Sequence, residues 1–188
     1  MSAVSARATF VLAALALGCA AKRPPPKAVA VAGDGLPEST LVTSAPELCG
    51  NALDDNGNGL ADEGCGIATG MVQFLAAWDE PGADVDLRVT DPNGELAETG
   101  RPTASGLVKE RDCPGREGEC RGRNLENVYL EQGELLRGEY RVRIRLVSLN
   151  GAEPPISVRF AARVGPRVYS AVFTLKRVEA DFETVIRL

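Results

Sequence analysis

Histidine is absent from this chain of 188 residues. Without an imidazole there is no Ser-His-Asp or Cys-His triad, no imidazole-built zinc site and no use of the commonest general base. Most familiar hydrolase chemistry is thereby excluded. Positive charge is in deficit as well: Lys and Arg number 21 against 26 Asp and Glu, a formal net charge of −5. That balance offers no footprint for a nucleic acid, so no nucleic-acid partner is expected. No apolar run approaches the roughly 20 residues that a membrane-spanning helix needs. What remains is ordinary for a folded chain, with 44% hydrophobic and 25% charged residues. It is too apolar to be disordered throughout and sufficient for one modest domain.

The start of the chain reads as an address rather than as fold. Arg7 precedes an apolar run from Phe10 to Leu17, followed by Gly18-Cys19-Ala20, the pattern of a short signal-peptide core. Leu15-Ala16-Leu17-Gly18-Cys19 resembles the lipobox of bacterial lipoproteins, with Ala16 where that pattern more often has Leu. The resemblance implies lipidation of Cys19, removal of residues 1–18 and a membrane partner reached through the N-terminal lipid. An ordinary secretory signal cleaved near Ala20 or Ala21 is the alternative. Residues 19–46, with Arg23-Pro24-Pro25-Pro26, Gly33, Gly35 and Pro37 and no sustained period, read as a disordered tether.

Setting Cys19 aside leaves Cys49, Cys65, Cys113 and Cys120, an even set in an exported chain. Such a set points to disulfides. Of three connectivities, proximity and the two distinct local contexts favour Cys49 with Cys65 and Cys113 with Cys120.

From residue 67 onward the pattern is that of strands. Val142, Ile144 and Leu146 alternate with Arg141, Arg143 and Arg145, the period of two that one buried sheet face imposes. Met71 to Trp78, Val85 to Thr90, Ile156 to Val164, Val168 to Val178 and Phe182 to Leu188 behave alike. Asp91-Pro92-Asn93-Gly94, Asn150-Gly151 and Gly165-Pro166 supply turns between them. No amphipathic helix stands out. Six to eight short strands over residues 67–188 predict an all-β antiparallel β-sandwich, with a small closed barrel as the alternative.

Residues 47–66 carry the most specific chemistry. Counting Asp54 as position 1 places Asn56 at 3, Asn58 at 5, Gly59 at 6, the Leu60 carbonyl at 7 and Asp62 at 9. This follows most of an EF-hand loop, in which alternate oxygens converge on a hard cation, and calcium is the cation expected. Position 12 is Cys65 rather than Glu, so Glu63 or Asp55 must supply the missing carboxylate. Helix-forming flanks are lacking, which argues against a true EF-hand. Glu47-Leu48-Cys49-Gly50-Asn51, then Leu53-Asp54-Asp55-Asn56 and Asp62-Glu63-Gly64-Cys65, resemble the metal-binding repeat of deltaproteobacterial, especially myxobacterial, surface proteins. That repeat also has a copper-associated type.

Trp78-Asp79-Glu80, Ala83 to Val89, Asp91 to Gly94, Glu126 to Tyr129 and Gly138 to Val142 together resemble the YfaP-like domains of bacterial envelope proteins, and pre-peptidase C-terminal domains share some of these features. Either resemblance implies a β-sandwich without catalysis. Asp84 and Asp86, two apart on one strand face, would repel unless compensated. With Asp79, Glu126 and Asn127 they form a candidate second calcium site, against a solvated acidic face as the plainer reading. The Arg141, Arg143, Arg145 row, extended by Arg159 and Arg163 on a neighbouring strand, could grip anionic glycan or lipid headgroups. Pairing with acids across strands is the favoured reading.

The function expected from all this is non-enzymatic: an envelope lipoprotein, outer-membrane anchored on its periplasmic or surface face. It would act as a calcium-stabilised binding or adhesion module for a glycan or an envelope protein. A structural subunit of an envelope assembly is the alternative.

Overall fold

The computed structural model describes residues 46–114, 120, 123–133 and 135–188, and the backbone of residues 29–30. These comprise nine strands and no helix: β1 (Val29–Ala30), β2 (Val72–Trp78), β3 (Asp84–Thr90), β4 (Val108–Lys109), β5 (Leu125–Leu130), β6 (Glu139–Ser148), β7 (Ile156–Val164), β8 (Arg167–Leu175) and β9 (Asp181–Arg187). One sheet has the order β1-β9-β6-β3 and the other β4-β5-β2-β7-β8. Every strand pairing is antiparallel. The chain is an antiparallel β-sandwich, as the alternating pattern predicts.

Alternation explains the layering. Tyr140, Val142, Ile144 and Leu146 of β6, with Val85, Leu87 and Val89 of β3, turn one face of the first sheet inward. Phe74, Trp78, Val128, Leu130, Val158 and Phe160 meet them from the second sheet. Phe173 of β8 stacks on Phe182 of β9 with ring centroids 4.3 Å apart. Asp91 closes the turn ahead of Gly94, which adopts a φ of 86° that favours glycine. The Asp91 carboxylate accepts the Asn93 and Glu95 N–H groups, both at 2.9 Å.

Strand β2 is buried along all seven residues. Val72, Phe74, Ala76 and Trp78 face the other sheet. Leu75 and Ala77 face outward, yet with Leu125 and Ala161 they are covered by Ala52, Ala61, Cys65 and Ile67. The cation-loop segment is therefore a third layer on the outer face of the second sheet. Both disulfides pair as the spacing predicts, Cys49 with Cys65 and Cys113 with Cys120.

Three differences from the sequence reading have local causes. Strand β5, next to the edge strand β4, carries Glu126 and Asn127 in mid-run, both fully buried, so its burial on two faces hides the period of two. The strand read as Val168 to Val178 ends at Leu175, because Lys176–Ala180 turn, with the Ala180 N–H donating to the Arg177 carbonyl at 3.0 Å. Within the stretch read as a tether, Val29 and Ala30 pair with Arg187 and Ile186.

Candidate functional site

The loop closed by Cys49 and Cys65 is organised by its carboxylates. Asp54 braces the turn: its Oδ1 accepts the Gly57 N–H at 2.8 Å and the Asn58 N–H at 3.1 Å, and its Oδ2 accepts the Gly59 N–H at 2.7 Å. Asn56 and Asn58 each donate a side-chain amide to Glu63 Oε1 at 2.5 Å, which brings the three side chains to one point. The second oxygen, Glu63 Oε2, is buried and has no hydrogen-bond partner. Leu60 donates its N–H to Asn58 Oδ1 at 2.8 Å.

Asp62 is aimed elsewhere. Its buried carboxylate accepts the Gly50, Asn51 and Ala52 N–H groups, and burial raises its pKa above the usual carboxylate range against the pull of those amides. It anchors the turn after Cys49, with both oxygens engaged. Asp55 accepts the Leu48 N–H and the Asn51 side-chain amide at 3.3 and 2.8 Å. Glu47, to which sequence reasoning gave no role, accepts the Asp62 N–H at 2.7 Å and the Asp55 and Asn56 N–H groups at 3.2 and 3.3 Å. Burial raises its pKa too, ahead of the charge of Glu63. Glu63 Oε2 is the one oxygen of this group without a hydrogen-bond partner; the Asn56 and Asn58 amides turn N–H toward Glu63 while their oxygens accept the Asn58 and Leu60 N–H groups at 3.1 and 2.8 Å, and Asp62 engages both oxygens with backbone amides away from this point.

The loop is fixed to the sandwich by polar contacts as well as by its apolar floor. Arg159 donates to the Asn51 carbonyl at 2.9 Å, Arg123 to that of Cys65 and Arg111 to that of Gly66 at 3.2 Å. Arg159 also pairs with Asp79 at 2.7 Å. That contact holds Asp79 apart from the second acidic group.

That group differs from expectation in membership. Asp86, Asp112 and Glu126 place carboxylate oxygens within 4.8 Å of one another. Among them stands the ammonium of Lys109, 2.6 Å from Asp112 and 3.0 Å from Glu126. Asp84 lies near enough for Asp86 and Asp112 to add to the effect of burial in raising its pKa. Asn127 occupies the opposite face of β5, donating to the Ala68 carbonyl at 2.7 Å and to Glu110 at 2.6 Å. The compensating charge within this carboxylate group is thus a lysine of this chain, paired with Asp112 and Glu126. Sequence reading missed Lys109 and Asp112 because nothing local ties them to β3.

Glu126 is the centre of the group. Fully buried, it accepts the Leu87 N–H at 2.6 Å and the Cys113 N–H at 3.0 Å. Burial pushes its pKa well up, with Lys109 opposing. Burial draws Lys109 down, but Glu126 and Asp112 hold it above its ordinary value.

On the outer face of the first sheet, Arg143 pairs with Asp181 and Glu183, Arg145 with Glu179 and Arg141 with Glu139. The row is paired with acids, as favoured. Arg159 and Arg163 do not extend it, because they lie on β7 in the other sheet. Cys19, residues 1–18 and the tip at 115–119 lie outside the described residues. No protein-family model matches the chain, and no curated protein or solved structure does either.

Proposed function

We propose that the chain is a non-catalytic binding module of the cell envelope, held to the membrane by lipid on Cys19 and stabilised by calcium in the 47–66 loop. Its ligand would be a glycan or an envelope protein. The observation that carries this reading is the convergence of Asn56, Asn58 and Glu63 in a disulfide-closed loop, with Glu63 Oε2 buried and unpartnered. Two disulfides accord with an oxidising compartment, and the lipobox resemblance supports the anchor.

Calorimetric titration of the purified chain with calcium tests the loop. Heat of binding is expected from the parent and not from Glu63→Gln. Equal binding by both, or none by the parent at millimolar calcium, refutes it. Fractionation of cells tests the anchor: Cys19→Ser is expected to release the protein from membranes, and a soluble wild-type chain beginning after Cys19 overturns it. A structural subunit of an envelope assembly is the second reading, favoured by the edge of β8, which no strand among the described residues pairs.

A further inference from the structure

The two sheets have four edges, and three of them are short or covered. Strands β1 and β4 contain two residues each. Strand β3 is charged at Asp84, Asp86 and Arg88 and is occupied along its side: Glu126 takes the Leu87 N–H, Ala97 donates to the Val89 carbonyl at 2.9 Å, and Leu96 bridges to Thr90. These are the devices by which sheets avoid pairing with strangers.

Past Arg167, strand β8 has none of them. It pairs with β7 over nine residues in unbroken register, and no strand lies on its other side among the described residues. From Val168 to Leu175 it contains no charge, proline or glycine. Tyr169 and Leu175 are anchored in the core, and Phe173 is stacked on Phe182, so the edge is rigid. Val172 is 68% exposed, the most exposed large apolar side chain described. At the start of the strand Arg167 is half-buried and donates to the Tyr169 hydroxyl at 3.5 Å, so the exposed charge lies at the other end. Lys176 and Arg177 are exposed just past the strand, while the acids that follow are engaged elsewhere, Glu179 by Arg145 and Asp181 by Arg143.

We infer that the β8 edge is a docking surface for an extended segment of a partner protein, added antiparallel as a sixth strand and led by acidic residues at its N-terminal end. Antiparallel addition sets the start of the incoming strand beside Lys176 and Arg177, where acids complete the charge. Its uncharged continuation then runs along Val168–Leu175, with backbone hydrogen bonds giving affinity and Val172 an apolar contact. This names the kind of partner for the binding module proposed above and rests on that reading, but needs neither the cation nor the anchor.

The probe is a blocked peptide of three glutamates followed by alternating threonine and valine, titrated into the purified chain with and without calcium. Binding is expected to slow hydrogen exchange at backbone amides of Val168–Leu175, whether or not calcium is present. The pair Lys176→Glu and Arg177→Glu, both exposed, is expected to weaken binding about tenfold or more and to favour a lysine-led peptide instead. Val172→Asp is expected to weaken both peptides with the fold intact by circular dichroism. Equal binding of the two peptides by the parent chain, or none at millimolar peptide, overturns the inference. So does edge protection that grows with protein concentration, which would mean a second copy, or full protection in the dilute chain alone, which would mean an occupant from its own sequence. None of these outcomes touches the calcium or Cys19 experiments.

Discussion

Replacing Glu126 by alanine should be among the most damaging single changes in the sandwich. Its carboxylate accepts the Leu87 N–H on the edge of β3, the Cys113 N–H at the stapled loop and the Lys109 ammonium. Glu126 itself is fully buried, and the Lys109 side chain is 9% exposed. Each amide left without an acceptor costs about 1–3 kcal/mol, and breaking a buried ion pair from one side costs about 3–5 kcal/mol. These overlap, since the two amides and the ammonium share one acceptor group, so about 4 kcal/mol is expected for Glu126→Ala. At roughly 4 °C per kcal/mol for a domain of this size, the melting temperature should fall by about 15 °C. Glu126→Gln keeps one acceptor oxygen and should cost about half as much. The double change Glu126→Leu with Lys109→Met removes both charges together and should recover part of the alanine loss. Urea unfolding followed by tryptophan fluorescence measures all three, because Trp78 is in the same core. A loss under about 1 kcal/mol for Glu126→Ala, or a double variant worse than the single, would refute the account.

Further outcomes follow from charge and docking. Burial holds the Asp62 and Glu126 carboxyls above their ordinary values, so between the ordinary and the raised pKa the folded chain binds more protons than the unfolded one. Their contribution to stability is therefore complete below the ordinary value and lost as pH rises through the raised one; Asp62→Asn and Glu126→Gln should each flatten that decline in urea midpoints taken across pH. Asp112 opposes this trend, since Lys109 outweighs burial and holds it low, and its contribution is lost as pH falls. Calcium, at a hundredfold excess over a dissociation constant on the order of 10⁻⁴ M, should add about 2.7 kcal/mol. Calorimetric scanning should show it in the unfolding of the whole sandwich, because the loop is packed on β2; a shift confined to a separate early transition would contradict this. Arg143→Ala, on an open face, should cost less than about 1 kcal/mol by denaturant titration despite two ion pairs.

Legibility in the sequence tracked solvent exposure. Strand β6 shows its period of two because one face meets water and the other the core, and β7 was bounded to the residue for a related reason, since turn residues flank it. Strands β4 and β5 were missed where a two-residue strand is too short to show a period and where buried Glu126 and Asn127 mimic a polar loop. In the cation loop, spacing singled out Asp54, Asn56, Asn58 and Asp62, and the fold gathers the Asn56 and Asn58 side chains on Glu63. Spacing could not show that Asp62, at a positive φ of 55°, turns its side chain to the amides following Cys49. The second acidic group was half legible: Asp84 and Asp86 stand on one strand, but Lys109 and Asp112 reach them through tertiary pairing alone.

The third layer over β2 bears on how this protein can be divided. Leu75, Ala77, Leu125 and Ala161 have an apolar roof only while Ala52, Ala61, Cys65 and Ile67 sit above them. A fragment cut at residue 67, where the pattern changes to strands, would bare that face and invite aggregation. Conversely, residues 47–66 grafted onto another scaffold would arrive without the arginines of positions 111, 123 and 159 that grip their carbonyls. The smallest portable unit therefore begins ahead of Glu47, and any chain in evolution that lost the loop would have had to repaint that sheet with polar residues.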